Sequence, residues 1–282
     1  MAEQGGRALV LGGGGVTGVA WEIGLLHGLA EHGVDLTGAD TLIGTSAGSV
    51  VAAQIGSGTP LPEMFAQQTE PPAAERRAEI GAAVLARFVI ASAIPGPRHR
   101  GRAWLGRAAL RAKTVPESER RAVIAHRVPQ QRWPDRRLLV TAVDAGSGEP
   151  VVFDRDSGVP LTDAVGASCA VPIVWPPVTI GDRRYLDGGM RTVANVDLAA
   201  GADRVVVIAP LSRALRRSDR PQAQAAALGV PSIVLTPDPP ALAAIGRNVL
   251  DPANRVASAH AGRAQAARVA DRVRMIWTPP AA

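Results

Sequence analysis

The sequence predicts an α/β fold with a mainly parallel central sheet and helices on both of its faces. Three observations predict it. Short apolar runs at residues 8–11, 41–43, 138–143, 205–208 and 232–235 alternate with helical stretches, the pattern of strand–helix–strand units. The first two runs each end in a glycine-bearing turn that opens a helix, one over about residues 17–32 and one over 47–54. The chain has 282 residues, 46% of them hydrophobic, and no segment reads as a linker, so one large domain is expected.

The first turn is the run Leu11-Gly12-Gly13-Gly14-Gly15-Val16-Thr17-Gly18. Consecutive glycine amides at a helix N-terminus form a donor site for developing negative charge, as the oxyanion of acyl transfer requires. The same residues satisfy the dinucleotide pattern G-x-G-x-x-G, which needs an acidic residue closing the second strand to hold a ribose. Here the second strand runs into Gly44-Thr45-Ser46, while Asp35 and Asp40 precede it, so the nucleotide reading fails.

The second turn, Gly44-Thr45-Ser46-Ala47-Gly48, has the form of a nucleophile elbow, with Ser46 on a tight turn between strand and helix. Gly44 and Gly48 lack a Cβ, which lets the strand and the helix pack closely around it. A lone G-x-S-x-G is frequent by chance in a chain this rich in Gly, Ser and Ala. Its weight comes from the glycine loop before it.

Residues 60–127 differ in composition. Pro60, Pro62, Pro71-Pro72, Pro95 and Pro97 punctuate helical and charged stretches and suggest a variable helical cap. Within it, residues 98–113 carry six cations and no acid. As a helix this segment places Arg100, Arg107 and Arg111 on one face, Leu105, Ala108, Ala109 and Ala112 opposite, and Trp104 near the boundary. That arrangement suits peripheral contact with an anionic membrane surface, although Gly101 and Gly106 weaken the helix. The net charge of +6 comes with no nucleic-acid motif, so a nucleic-acid partner is not expected.

Residues 177–186 read as a hairpin turning at Gly181-Asp182, which puts Asp187 at a strand end before Gly188-Gly189. An Asp before two glycines is by itself an ordinary loop carboxylate. Behind an oxyanion loop and an elbow it reads as their partner. Residues 239–272 read as helix broken near Pro252, followed by a short strand over 273–277 and a frayed end, Pro279-Pro280-Ala281-Ala282.

With these three motifs in this order, the chain resembles the patatin-like phospholipase family. The matching pieces are Gly13-Gly14-Gly15-Val16-Thr17-Gly18, Gly44-Thr45-Ser46-Ala47-Gly48 and Asp187-Gly188-Gly189. Ala167-Ser168-Cys169-Ala170-Val171-Pro172, Trp175-Pro176-Pro177-Val178 and Asn195 support them, and the resemblance covers most of residues 7–210. It implies a single three-layer domain over residues 1–282 and a serine acyl hydrolase that cleaves lipid or other long-chain acyl esters through an acyl-enzyme. It also implies a Ser–Asp dyad with Ser46 as nucleophile and Asp187 as general base. Gly13, Gly14 and Gly15 would form the oxyanion hole, and Gly18, Gly44, Gly48, Gly188 and Gly189 would shape the motifs. No metal or cofactor is expected. One position departs from the family: Thr17 stands where Lys or Arg is usual. A transacylase with the same nucleophile, or a non-catalytic lipid-binding module of the same fold, are the alternative readings.

The remaining polar residues add one competitor. His260 would complete a Ser–Asp–His triad with Asp238 or Asp251, as in the α/β-hydrolase order, but this leaves Asp187-Gly188-Gly189 unexplained. No histidine pair has metal-ligand spacing. Cys169, the single cysteine, reads as a small buried residue. The opening Met1-Ala2-Glu3-Gln4 has no secretory character, and the longest apolar stretch, 80–94, is interrupted at Arg87, so a cytoplasmic location is expected.

Overall fold

The computed structural model describes residues 6–70, 77–129 and 131–278. The opening residues 1–4, Pro71-Pro72 and the tail 279–282 lie outside the described residues. The strands are β1 (Arg7–Leu11), β2 (Thr41–Gly44), β3 (Arg137–Asp144), β4 (Pro150–Phe153), β5 (Val178–Ile180), β6 (Arg183–Asp187), β7 (Arg204–Ile208) and β8 (Ser232–Leu235). Among the described residues they form one sheet in the order β5-β6-β3-β2-β1-β7-β8, with β4 added on β3. The strands β3, β2, β1, β7 and β8 are parallel to one another, as the alternating pattern predicts.

Parallel strands are buried on both faces, and here successive residues point into two separate cores. Leu9, Leu11, Val206 and Ile208 face a thick layer made by α1 (Gly15–Glu31), α2 (Ala47–Gly56), α7 (Leu161–Ser168) and α10 (Arg255–Trp277). Ala8, Val10, Val205 and Val207 face a thinner one, made by α8 (Pro221–Ala227) and a 3-10 turn at Val196–Ala199. In the thick layer α1 and α10 touch backbone to backbone: a Cβ on Gly24 would lie 2.0 Å from the Ala259 carbonyl oxygen, and one on Gly262 2.3 Å from that of Trp21.

The antiparallel part of the sheet positions the site. On β3, Val140 pairs with both Gly44 of β2 and Phe153 of β4, so β2 and β4 occupy opposite edges. Ala142 pairs with both Val151 of β4 and Asp187 of β6, so β6 lies opposite β4 as well. The strands β2 and β6 therefore share one edge of β3 and run toward each other, β2 ending at Gly44 and β6 at Asp187.

Helices from the 60–127 region pack in different places. α3 (Leu61–Thr69) lies on α1 and α10, α4 (Ala82–Ala93) against α5 (Arg98–Leu110), and α6 (Glu117–Arg127) against α7. Gly101 and Gly106, which weaken α5 in isolation, are its close-contact points. A Cβ on either would lie 2.0 Å from a carbonyl oxygen, Ala91 of α4 or Ala145 after β3. Among the described residues no helix is long and apolar enough to cross a membrane.

One expectation is corrected, and one strand is new. Residues 273–277 are helical, because Val269, Val273 and Trp277 recur at i, i+4 and bury one face of α10. Trp277 also donates its indole N–H to the Asp35 carbonyl at 2.8 Å. β4 was not foreseen: it is four residues long and half exposed, and it is set by the turn in which the Asp144 carboxylate accepts from the Gly146 and Ser147 amides.

Candidate active site

The site lies where the parallel strands end. After β1 the glycine loop is tied down at its start: the Gly12 amide donates to the Ile208 carbonyl at 2.9 Å, and that of Gly13 to Val193 at 2.7 Å. The amides of Gly14 and Gly15 belong to the first turn of α1, whose donors no helical carbonyl can satisfy. Gly15 has φ +61° and lines the cleft beside Ser46. The Gly12 and Gly13 amides thus anchor the loop, and Gly14 and Gly15 carry it into α1. Side chains are excluded at both Gly14 and Gly15. A Cβ on Gly14 would sit 2.5 Å from Pro210 Cβ, and one on Gly15 2.4 Å from the Val249 oxygen.

Thr17, the position that departs from the family pattern, is fully buried, and both its amide and its hydroxyl donate to the Val249 carbonyl at 3.2 Å. It pins the segment carrying Leu250, which lines the cleft. Behind the loop lies Glu22, also fully buried on α1; burial pushes its pKa well above the carboxylate range, opposed by the Gly12 amide.

After β2 the chain makes the expected elbow. Ser46 has φ 52° and ψ −118°, a strained conformation for a residue with a side chain, held by its surroundings. Its amide donates to Ser168 Oγ at 2.9 Å, and its carbonyl accepts from Ser49 Oγ at 2.6 Å and from Cys169 Sγ at 3.3 Å. The flanking glycines are steric necessities. A Cβ on Gly48 would lie 2.1 Å from the Leu11 oxygen, and one on Gly44 2.5 Å from Ser49 Cα.

Asp187 arrives from the other direction and is buried. Its Oδ1 accepts from the Gly189 amide at 2.8 Å. Desolvation raises its pKa from 3.8 to about 6, against smaller lowering contributions from the Ser46 hydroxyl, the Gly189 amide and the Arg120 charge. Burial thus moves the titration of this carboxyl toward neutral pH.

A buried polar clamp holds the two halves in register. Asn195, fully buried in the left-handed conformation, donates from Nδ2 to Thr45 Oγ1 at 3.0 Å, Thr141 Oγ1 at 3.3 Å, and the carbonyls of Thr192 and Gly188 at 3.0 and 3.3 Å. Thr141 Oγ1 donates to Thr45 Oγ1 at 2.9 Å. A Cβ on Gly188 would fall 2.2 Å from Thr141 Oγ1, which explains the first glycine of Asp187-Gly188-Gly189. Thr45 and Ser168 lie within motif segments of the sequence, but Thr141 has no distinct signal there: a lone buried hydroxyl looks like any other Ser or Thr.

The cleft over Ser46 has an apolar wall, including Val16, Val19, Val50, Val171 and Leu250, and a polar one from α6 with Glu119, Arg120 and Arg127. Cys169 also lines it, and burial pushes its thiol pKa to about 11, which makes it a poor nucleophile. None of the histidines lines this cleft. His260 packs edge-on to Phe65, itself stacked on His27. Asp238 caps α9 (Pro239–Ile245) and binds Arg268, and Asp251 pairs with Arg77. The triad reading has no geometry to support it.

Residues 9–200 match the family model for patatin-like phospholipase. No curated protein sequence matches the chain. Among solved structures, the chain is similar to VipD from Legionella pneumophila, with 12% identity and TM-score 0.49 over 95% of this chain and 67% of that one. It is also similar to the type III effector protein ExoU, with 18% identity and TM-score 0.43 over 95% of this chain and 53% of that one. The chain spans about half the length of ExoU.

Proposed function

Because the chain belongs to the patatin-like phospholipase family, a family of lipid acyl hydrolases, we propose that it cleaves lipid acyl esters with Ser46 as nucleophile and Asp187 as general base. The observation that carries this reading is the placement of Ser46, on a strained elbow, against a buried carboxylate whose pKa is near 6.

In the first half-reaction Ser46 Oγ attacks the carbonyl carbon and its proton passes to Asp187. The carbonyl oxygen becomes an oxyanion, met by the amides of Gly14 and Gly15 at the positive end of α1. The intermediate collapses, the C–O bond to the leaving alcohol breaks, and the alkoxide takes the proton from Asp187. Water then attacks the acyl-enzyme, Asp187 removes its proton, and Ser46 leaves with that proton restored. The apolar wall of the cleft takes the acyl chain.

The proposal extends to peripheral contact with an anionic membrane surface through α5. Arg100 and Arg107 on this helix and Arg111 just after it are exposed, Trp104 is half-buried, and Leu105 and Ala109 face inward.

The test is a fluorophosphonate probe with peptide mapping, together with hydrolysis of a soluble p-nitrophenyl ester. Labelling at Ser46, and loss of hydrolysis in a folded Ser46→Ala variant, are expected. Absence of labelling in the folded wild type would favour a lipid-binding module, and a new ester formed on added glycerol would favour a transacylase.

A further inference from the structure

The cleft receives no cation from the first motif, because Thr17 is buried and bonded to Val249. It receives one from α6 instead. Arg120 lines the cleft together with Ser46, and its guanidinium carbon lies 4.1 Å above the centre of the Trp175 ring, which lines the same cleft. Arg127, seven residues on and so on the same helix face, lines it as well. Glu119 stands on the same wall. The Arg120 charge is felt at the reacting centre, where it lowers the pKa of both Asp187 and Cys169.

A guanidinium held over an indole face is restrained by the ring, and its planar N–H fork matches two oxygens of a phosphate or carboxylate. The other wall of the cleft is apolar and takes an acyl chain. A ligand that satisfies both walls is an acyl ester with an anionic group a few bonds from the scissile carbonyl, as in a glycerophospholipid.

We infer that Arg120, held on Trp175, recognises the phosphodiester of a glycerophospholipid substrate and supplies from α6 the cation that position 17 lacks. This inference rests on the acyl-hydrolase reading of Ser46 and Asp187.

The test compares two substrates with the same acyl chains, both below their aggregation limits: dihexanoyl phosphatidylglycerol and the uncharged dihexanoylglycerol. In Arg120→Gln, kcat/KM for the phospholipid should fall about 10- to 100-fold further than for the uncharged ester, the range for losing one charged hydrogen-bonding partner. The extra loss should lie in KM. Arg120→Lys should recover part of it, since the charge returns without the planar fork. Any effect of Arg120 on Asp187 touches both substrates alike and cancels in the ratio. Thermal unfolding of each variant at the wild-type temperature establishes that the fold is intact; should Arg120→Gln unfold early, Arg120→Lys carries the same ratio. Equal losses on both substrates would overturn the inference while leaving the hydrolase reading standing. A wild type that cleaves neither substrate would overturn both.

Discussion

Ser46 and Asp187 are brought together from opposite directions along one edge of β3. Gly44, at the end of β2, pairs with Val140, and Asp187, at the end of β6, pairs with Ala142. Thr141 lies between those pairing points, and its hydroxyl joins Thr45 and Asn195 in the clamp. A parallel strand and an antiparallel hairpin, both anchored on one long strand, thus set these two side chains with little freedom left to either loop.

The buried state of Asp187 predicts the acid side of the pH profile. A general base must be ionised, and burial lifts this carboxyl from 3.8 to about 6. kcat/KM on a p-nitrophenyl ester should therefore fall as pH drops through about 6. A profile flat down to the range of a free aspartate, about pH 4, would show that desolvation does not tune this group.

Asn195→Ala should both destabilise the protein and slow it. The change removes the Asn195 donor from the buried Thr192 carbonyl and Thr141 hydroxyl, while the Gly188 carbonyl keeps the Arg191 amide and Thr45 keeps the Thr141 hydroxyl, and alanine disfavours the left-handed backbone at this position. A loss of about 2 kcal/mol or more in urea unfolding is expected from unsatisfied buried groups alone. A loss below about 0.5 kcal/mol, the level of an ordinary surface change, would show that the clamp does not hold the site.

Glu22 predicts a pH-dependent stability difference. Its folded pKa is raised well above that of the unfolded chain. As pH rises past about 4.3, unfolded Glu22 releases its proton while the folded protein keeps it. The unfolded state then binds fewer protons, and stability falls, by at most about 1.4 kcal/mol per pH unit until the folded pKa is reached. Glu22→Gln has no such proton. The melting temperature of the variant, relative to wild type, should climb as pH rises above about 4.3, the unfolded value. A constant difference across that range would contradict a neutral buried Glu22.

Neutralising the exposed face of α5 tests the membrane contact. Arg100→Gln, Arg107→Gln and Arg111→Gln together should weaken binding to phosphatidylglycerol-containing vesicles by up to about 3 kcal/mol at low salt, at roughly 1 kcal/mol per cation. The gap should close as salt is added. Equal partitioning of mutant and wild type at low salt would make this an ordinary solvated face.

Much of this molecule was legible in the sequence because its constraints are local. The elbow glycines, the glycine loop and Asp187-Gly188-Gly189 are each written in consecutive residues, since each solves a backbone problem within a few ångströms. The parallel strands announced themselves by apolar runs. The clamp was not legible, because Thr45, Thr141 and Asn195 meet only through sheet register, and register is invisible in one chain. The same holds for Gly13, whose amide is taken by the distant Val193 carbonyl. Residues 273–277 misled for the opposite reason: an apolar run this short reads equally well as a strand or as the last turn of a helix.

The central claim is that Asp187, and no histidine, serves Ser46. The most direct measurement is the acylation rate of a soluble p-nitrophenyl ester by Asp187→Asn and His260→Ala, each shown first to unfold at the wild-type temperature. Asp187→Asn keeps the shape and removes the proton acceptor, so its rate should fall by about 10²–10⁴, the worth of general-base assistance. His260, packed on Phe65 away from the cleft, should matter little when it becomes alanine. An inactive, folded His260→Ala beside an active Asp187→Asn would contradict the dyad.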